Sequence, residues 1–346
     1  MPNPFTNVGR IEDSRYFFGR AAVLDAIFDR LNGVQLGSVN VVGERRIGRS
    51  SLLWHVKTIA PQRLPDAFCV GYLDLQSEVI DSPDAFRSHA LHEWGAGAAE
   101  DSRLSPVPAD VFESRLLDLR AQGLKLVVLL DEFESIVETS KAFSDTFFDG
   151  LRSLCNRNLL ACVFVTRTPL SAYKTSHPAV STLHGLCIKV DLGDFTEDEA
   201  RTLLSQKTDH TFTPAQIQLA RRWAGCHPLK LNLAANRIYE QRAHGQGVWS
   251  GEHEAAAEKK YRDDVAHIFA EQPAGAKVKT IGGSVWSGWK RFADWLESHK
   301  VAASLLGIAL AALLLLLLGW LTLPQLVAIL RDRLIGTTPA PLTPMP

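Results

Sequence analysis

Two stretches of this chain hold residues whose types and spacing suit phosphate chemistry. The first is the loop Gly43, Glu44, Arg45, Arg46, Ile47, Gly48, Arg49, Ser50, Ser51. Its glycines let the main chain turn tightly and bring N–H groups close to an anion. The β-branched run at 39–42 reads as a strand entering the loop, and Leu52 and Leu53 open a helix leaving it. Such a helix, beginning near Arg49, points its positive end at the same anion. The Ser50 hydroxyl falls where a ligand of phosphate-bound Mg²⁺ is expected. One residue departs from the usual GxxxxGK[ST] pattern: Arg49 replaces lysine, a planar fork in place of a compact point charge. Nucleotide binding is expected to survive this change, with fast hydrolysis less so.

The second stretch is 125–134, KLVVLLDEFE. A continuous apolar run ending in two carboxylates reads as a strand buried on both faces. Asp131 is placed to hold Mg²⁺, directly or through water, and Glu132 to orient or activate an attacking water. Acidic caps on a helix N-terminus are the plainer reading; the phosphate loop upstream favours the catalytic one. A further apolar run at 159–165 ends in Thr166 and Arg167. Arg167 is the candidate sensor of a terminal phosphate, with an ordinary surface arginine as its alternative.

These residues need a scaffold, and the hydrophobic pattern supplies one. Strands are predicted at 39–42, 68–75, within 125–134 and ending in the two carboxylates, at 159–165 and at 187–192, alternating with helices. That alternation predicts an α/β, three-layer core with a five-stranded parallel sheet, and the glycine loop marks it as a P-loop core with the nucleotide lying at the carboxyl ends of the strands. Leu24, Ile27, Phe28 and Leu31 recur at helical spacing. The preceding Phe18, Gly19 and Arg20 either pack against the sheet or shape a base pocket. From Phe195 onward the texture is helical. Thr196 and Glu199 form a capping box, Pro214 opens a helix, and His227 and Pro228 launch another. The result is a helical lid. The predicted partition is a core over 1–193, a lid over 194–271, a linker with an interfacial helix over 272–300, a transmembrane helix over 301–323 and a short tail over 324–346.

Composition narrows the options. The 346 residues are 46% hydrophobic and 22% charged, which suits a folded core rather than disorder. A net charge of −1 gives no basic field for nucleic acid. Cys69, Cys155, Cys162, Cys187 and Cys226 form no CxxC pair, so a zinc site is not expected, and most of them sit inside apolar runs and read as buried thiols. The N-terminal MPNPFTNVGR lacks the apolar region of a signal peptide.

With these motifs in hand, the chain resembles the STAND branch of P-loop ATPases, close to archaeal-type and AAA+-like ATPase domains. The resemblance is carried by FFGR (17–20), GERRIGRSSLL (43–53), LLDEFE (129–134), FVTR (164–167), VDLGDFTEDEARTLL (190–204) and AGCHPLKLNLAA (224–235). It implies that Phe18, Gly19 and Arg20 enter the base pocket, residues 43–51 bind phosphate and Asp131 with Glu132 form the acidic pair. It further implies that Arg167 is the sensor, and that His227 and Pro228 are the lid motif touching nucleotide. ATP or ADP with Mg²⁺ is the implied cofactor. Ring-forming AAA+ enzymes present an arginine to a neighbouring subunit from the segment equivalent to 168–186, which here contains Lys174 and no arginine. Arg152 or Arg157 would have to substitute. That favours a switch over a ring motor.

The far end carries a different signal. Residues 301–323, VAASLLGIALAALLLLLLGWLTL, contain no charge. As a helix they would span roughly 35 Å, enough for a bilayer core. Trp286, Trp289 and Trp295 on one side and Trp320 near the other suit an aromatic belt. Lys277, Lys279, Lys290, Arg291 and Lys300 precede the run, against Arg331 and Arg333 after it, which places the N-terminal side in the cytoplasm. The expectation is a single-pass, membrane-anchored ATP switch that contacts lipid, oligomerises with itself when active and takes its signal from a protein partner. A tethered AAA+-like motor or loader acting on a protein, and a non-hydrolysing nucleotide-binding scaffold, are the alternatives.

Overall fold

The computed structural model describes residues 3–6, 8–96, 105–139, 141–206, 211–244 and 249–270. Two units divide the chain, Met1–Glu271 and Gln272–Pro346. The expected linker, transmembrane helix and tail lie outside the described residues. Among those described, no helix is long and apolar enough to cross a membrane.

Five strands form one sheet: β1 Ser38–Gly43, β2 Phe68–Asp74, β3 Lys125–Asp131, β4 Ala161–Thr166 and β5 Cys187–Leu192. Every pairing is parallel, in the order β2-β3-β4-β1-β5. Among the described residues, six helices cover it: α1 Ala21–Leu31, α2 Arg49–Arg63, α3 Pro83–Glu93, α4 Ala109–Ala121, α5 Asp145–Asn156 and α6 Pro178–Leu183. The period of two along each strand splits the core between the faces. Leu126, Val128, Leu130, Cys162 and Phe164 pack on one side with α3 to α6. Val127, Leu129, Ala161, Val163 and Val165 pack on the other with α1 and α2. The three layers expected from sequence follow directly. One boundary differs: Leu159 and Leu160 are buried but precede β4, which starts at Ala161. Apolar character alone does not mark where ladder pairing begins.

The segment expected to act as a lid holds α7 Glu197–Leu204, α8 Pro214–Ala224, α9 Pro228–His244 and α10 Gly251–Phe269. Both α7 and α8 open with a complete capping box, Thr196 with Glu199 and Thr213 with Gln216. Helix α10 is pinned to its neighbours. Arg237 forks onto Asp264 at 2.6 and 2.7 Å, and the Tyr261 hydroxyl donates to the Trp223 carbonyl at 3.0 Å. The lid has its own core, and Phe5 from the far N-terminus is inserted in it, stacked on Phe212 at 5.4 Å. From there the N-terminal segment reaches the first turn of α2, where the Ile11 amide donates to Ser51 Oγ at 2.9 Å. It therefore straps lid to core, a role that no motif in the segment announced.

Candidate nucleotide site

The loop between β1 and α2 is built as phosphate loops require. Gly48 has φ +100°, and a Cβ there would meet open space; this is a left-handed backbone that side-chain-bearing residues avoid. Gly43 is needed for a different reason. A Cβ there would lie 2.9 Å from Ile47 Cγ2 and 3.0 Å from the Leu192 carbonyl oxygen. Arg46 carries φ +66° between them. Arg46, Ile47, Gly48, Arg49, Ser50 and Ser51 all line a cleft between core and lid. Its other walls are Gly9, Arg10 and Ile11 of the strap, Phe17, Phe18 and Arg20 before α1, and Pro228, Leu229 and Asn232 of α9. Glu44 and Arg45 are exposed on the outside of the turn.

Strand order brings the acidic pair to this loop. Asp131 is buried, and its carboxylate accepts from the Tyr72 hydroxyl at 2.7 Å and from the Glu132 amide at 3.0 Å, with the Ser50 hydroxyl nearby. Burial pushes its carboxyl above the usual aspartate range, and Asp74, its register partner on β2, adds repulsion; the Tyr72 and Ser50 hydroxyls and Arg49 oppose this. Glu132 stands at φ +50° on the cleft wall, and burial raises its carboxyl too. The donor chemistry at Ser50 and Asp131 is hard oxygen, which suits an ion that keeps waters and phosphate oxygens as its other ligands. Among the described residues there is no cluster of three or more acidic, His or Cys side chains that would hold a metal unaided.

Arg49 does not stand alone in the loop. It is buried, with Nη2 on Glu132 Oε1 at 3.0 Å and Nη1 on Glu134 Oε1 at 3.3 Å. Arg167 joins the same group: its amide donates to Glu134, its Nε lies 3.5 Å from Glu134 Oε1 and its Nη2 is 3.3 Å from Glu138. Sequence reading placed Arg49, Glu132 and Arg167 but overlooked Glu134, whose only signal was a third acid at the end of the same run.

Arg20 turns out to be a buried latch. Its Nη1 donates to the Gly193 carbonyl at 2.6 Å and its Nη2 to the Ile47 carbonyl at 3.1 Å, while its guanidinium lies 4.6 Å from the Phe195 ring centre. Its amide donates to Glu199, the capping-box acid of α7. A Cβ at Gly19, with φ +68°, would clash with that same carboxylate. Phe17, Phe18 and Arg20 all line the cleft, and Arg20 in addition ties the loop and the end of β5 to α7. His227 is buried beside the cleft rather than among its lining residues; its neighbour Pro228 reaches the wall. Burial lowers the His227 imidazole below its ordinary range, and the nearby Lys230 adds to this, with Asp194 and Glu44 opposing.

Arg10 on the cleft wall and its buried partner Tyr72 had no motif to announce them. The Arg10 guanidinium lies 4.4 Å from the Trp54 ring centre and donates to the Tyr72 hydroxyl at 3.0 Å, so strap, β2 and Asp131 form one hydrogen-bonded chain. Only the folded register puts Arg10 and Tyr72 there.

No protein-family model and no curated protein sequence matches this chain. Solved structures do. The ORC2 protein of Aeropyrum pernix, solved as ADPNP–ADP complexes, is 17% identical with a TM-score of 0.53, covering 75% of this chain and 72% of that one. The Walker-type ATPase paby2304 of Pyrococcus abyssi is 15% identical with a TM-score of 0.55, covering 95% of this chain and 92% of that one. At such identities the likeness speaks to architecture, and it agrees with the sheet order and loop geometry above: the chain has a P-loop NTPase fold.

Proposed function

We propose that this chain is an ATP-binding switch of the STAND type, a slow ATPase at most, whose nucleotide state is passed to its C-terminal segment. The observation that carries this reading is a contact between the phosphate loop and the end of α10. Phe269, the last residue of that helix, has its ring centre 5.8 Å from the Arg46 guanidinium, 5.1 Å from Lys230 Nζ and 5.3 Å from the His227 ring. A cation shared between an aromatic face and an anion site shifts toward the stronger partner, and a polyphosphate outweighs a ring.

The surrounding geometry supports the same reading. The loop amides, the α2 N-terminus and Arg46 suit the phosphates, and Phe17 and Phe18 suit a base. Ser50 and Asp131 would hold Mg²⁺, which supplies charge neutralisation at the phosphates when bound. Glu132 lies on the cleft wall and would orient water, but Arg49 occupies its carboxylate, which suits slow turnover. The solved relatives named above, described as an ATPase and as ADPNP–ADP complexes, are consistent with ATP and ADP as the ligands.

The apolar run at 301–323 extends the proposal: the switch is anchored to a membrane by one helix, with the ATP-binding region in the cytoplasm, and its output is clustering or rearrangement of those helices. A protein partner supplies the trigger. The test is hydrogen exchange on the full chain with and without MgATP. Changed protection at both the phosphate loop and residues 265–270 is expected. A change confined to the loop overturns the coupling.

A further inference from the structure

Glu134 is a charged side chain with 2% exposure, set just past the acidic pair. Its position follows from the chain path. After β3 the backbone turns at Glu132, the Ser135 amide closes onto the Glu132 carbonyl at 2.9 Å, and Phe133 is driven fully into the core. Glu134 thereby meets Arg49 at the start of α2 and Arg167 just past β4. One oxygen, Oε1, receives Arg49 Nη1, the Arg167 amide and Arg167 Nε. The other, Oε2, is buried with no hydrogen-bond partner among the described residues. A carboxylate so enclosed depends on its cations. Arg167 is 42% exposed at its side chain, so the enclosed cation is Arg49, exposed by only 4%.

The geometry explains the residue at position 49. A guanidinium presents a planar fork, and here one prong reaches Glu132 while the other reaches Glu134. An ammonium has one nitrogen and cannot be drawn toward both acids and the cleft together. We propose that Glu134 is the positioning residue for the phosphate-loop cation, and that arginine at 49 and the buried acid at 134 are a matched pair. Glu134 fixes the guanidinium beside Glu132, and the remaining N–H donors serve the anion in the cleft that Arg49 lines. The last step rests on the nucleotide reading of that cleft; the pairing does not.

The experiment is a double-mutant cycle on the full chain in detergent, with Arg49→Lys, Glu134→Gln and the double variant. Thermal unfolding without nucleotide reads the pair, and calorimetric titration with MgATP reads the positioning. Each single change is expected to weaken MgATP binding at least tenfold. The double variant is expected to bind at least tenfold more tightly than Arg49→Lys alone, because a neutral amide at position 134 no longer competes for the lysine. It should also melt higher than Arg49→Lys. Losses that simply multiply, with no rescue, overturn the pairing. Glu134→Asp, which keeps the charge but shortens the reach, should weaken binding like Glu134→Gln; wild-type affinity there also overturns it. If the wild type binds no nucleotide, the reading of the cleft fails while the melting cycle still decides the pair.

Discussion

The Tyr72 hydroxyl donates to Asp131 Oδ2 at 2.7 Å while itself accepting from Arg10 Nη1 at 3.0 Å. The acid that faces Ser50 is therefore steered by a side chain from the neighbouring strand, and burial keeps its carboxyl above the ordinary range. The sign of the linkage follows. A carboxyl whose folded pKa exceeds its unfolded 3.8 binds protons preferentially in the fold. The associated stability is complete below that value and is lost as pH rises through the folded pKa. Asp131→Asn removes the titration. The variant should melt a few degrees above wild type near neutral pH, with the gap closing as pH falls toward the unfolded value. Magnesium nucleotide should narrow the gap at neutral pH by stabilising only the wild type. Melting curves across pH check both.

Arg20 joins the phosphate loop, the end of β5 and the lid. Arg20→Ala leaves the Ile47 and Gly193 carbonyls without their donor and should cost about 2–4 kcal/mol in urea unfolding. Arg20→Lys should recover little, since one ammonium cannot reach both carbonyls.

Gly48→Ala meets no steric obstacle but must hold φ +100°. A penalty of roughly 1–2 kcal/mol is expected from the left-handed backbone. Relaxing that strain redirects the loop amides, so MgATP affinity should fall more than tenfold while the melting point moves only modestly. Titration alongside melting separates the two effects.

Phe269→Leu keeps apolar bulk but removes the aromatic face from Arg46 and Lys230. The stability loss should be small, about 0.5–1 kcal/mol. The nucleotide-dependent change in exchange at 265–270 should disappear while MgATP still binds. Persistence of that change would place the coupling elsewhere.

The membrane proposal is checked by fractionation. Full-length chain should sediment with membranes and resist extraction by salt or alkali, and a chain ending at residue 270 should not. A full-length chain in the soluble fraction would refute the anchor.

Local signals made much of this molecule legible. Strand and helix succession followed from periods of two and 3.6. Thr196 with Glu199 announced the capping box at α7, Pro214 marked a helix start, and the Gly43–Ser51 letters gave the loop. Each of these depends on residues a turn or a strand apart, so the chain order carries them.

What the sequence determined by itself is the set of reactive groups and the elements that bear them: a glycine loop with Arg49 and Ser50, and a buried strand ending in Asp131 and Glu132. Tertiary structure alone decided their company. Tyr72 meets Asp131 across 59 residues, Arg49 meets Glu134 across 85, and Arg20 meets Glu199 across 179. The strap through Phe5 and Ile11, and Phe269 against Arg46, belong to the same class. The physical reason is common to all. Such contacts are set by strand order, register and the placing of the lid, and those come from burying three apolar faces at once, which no local periodicity encodes.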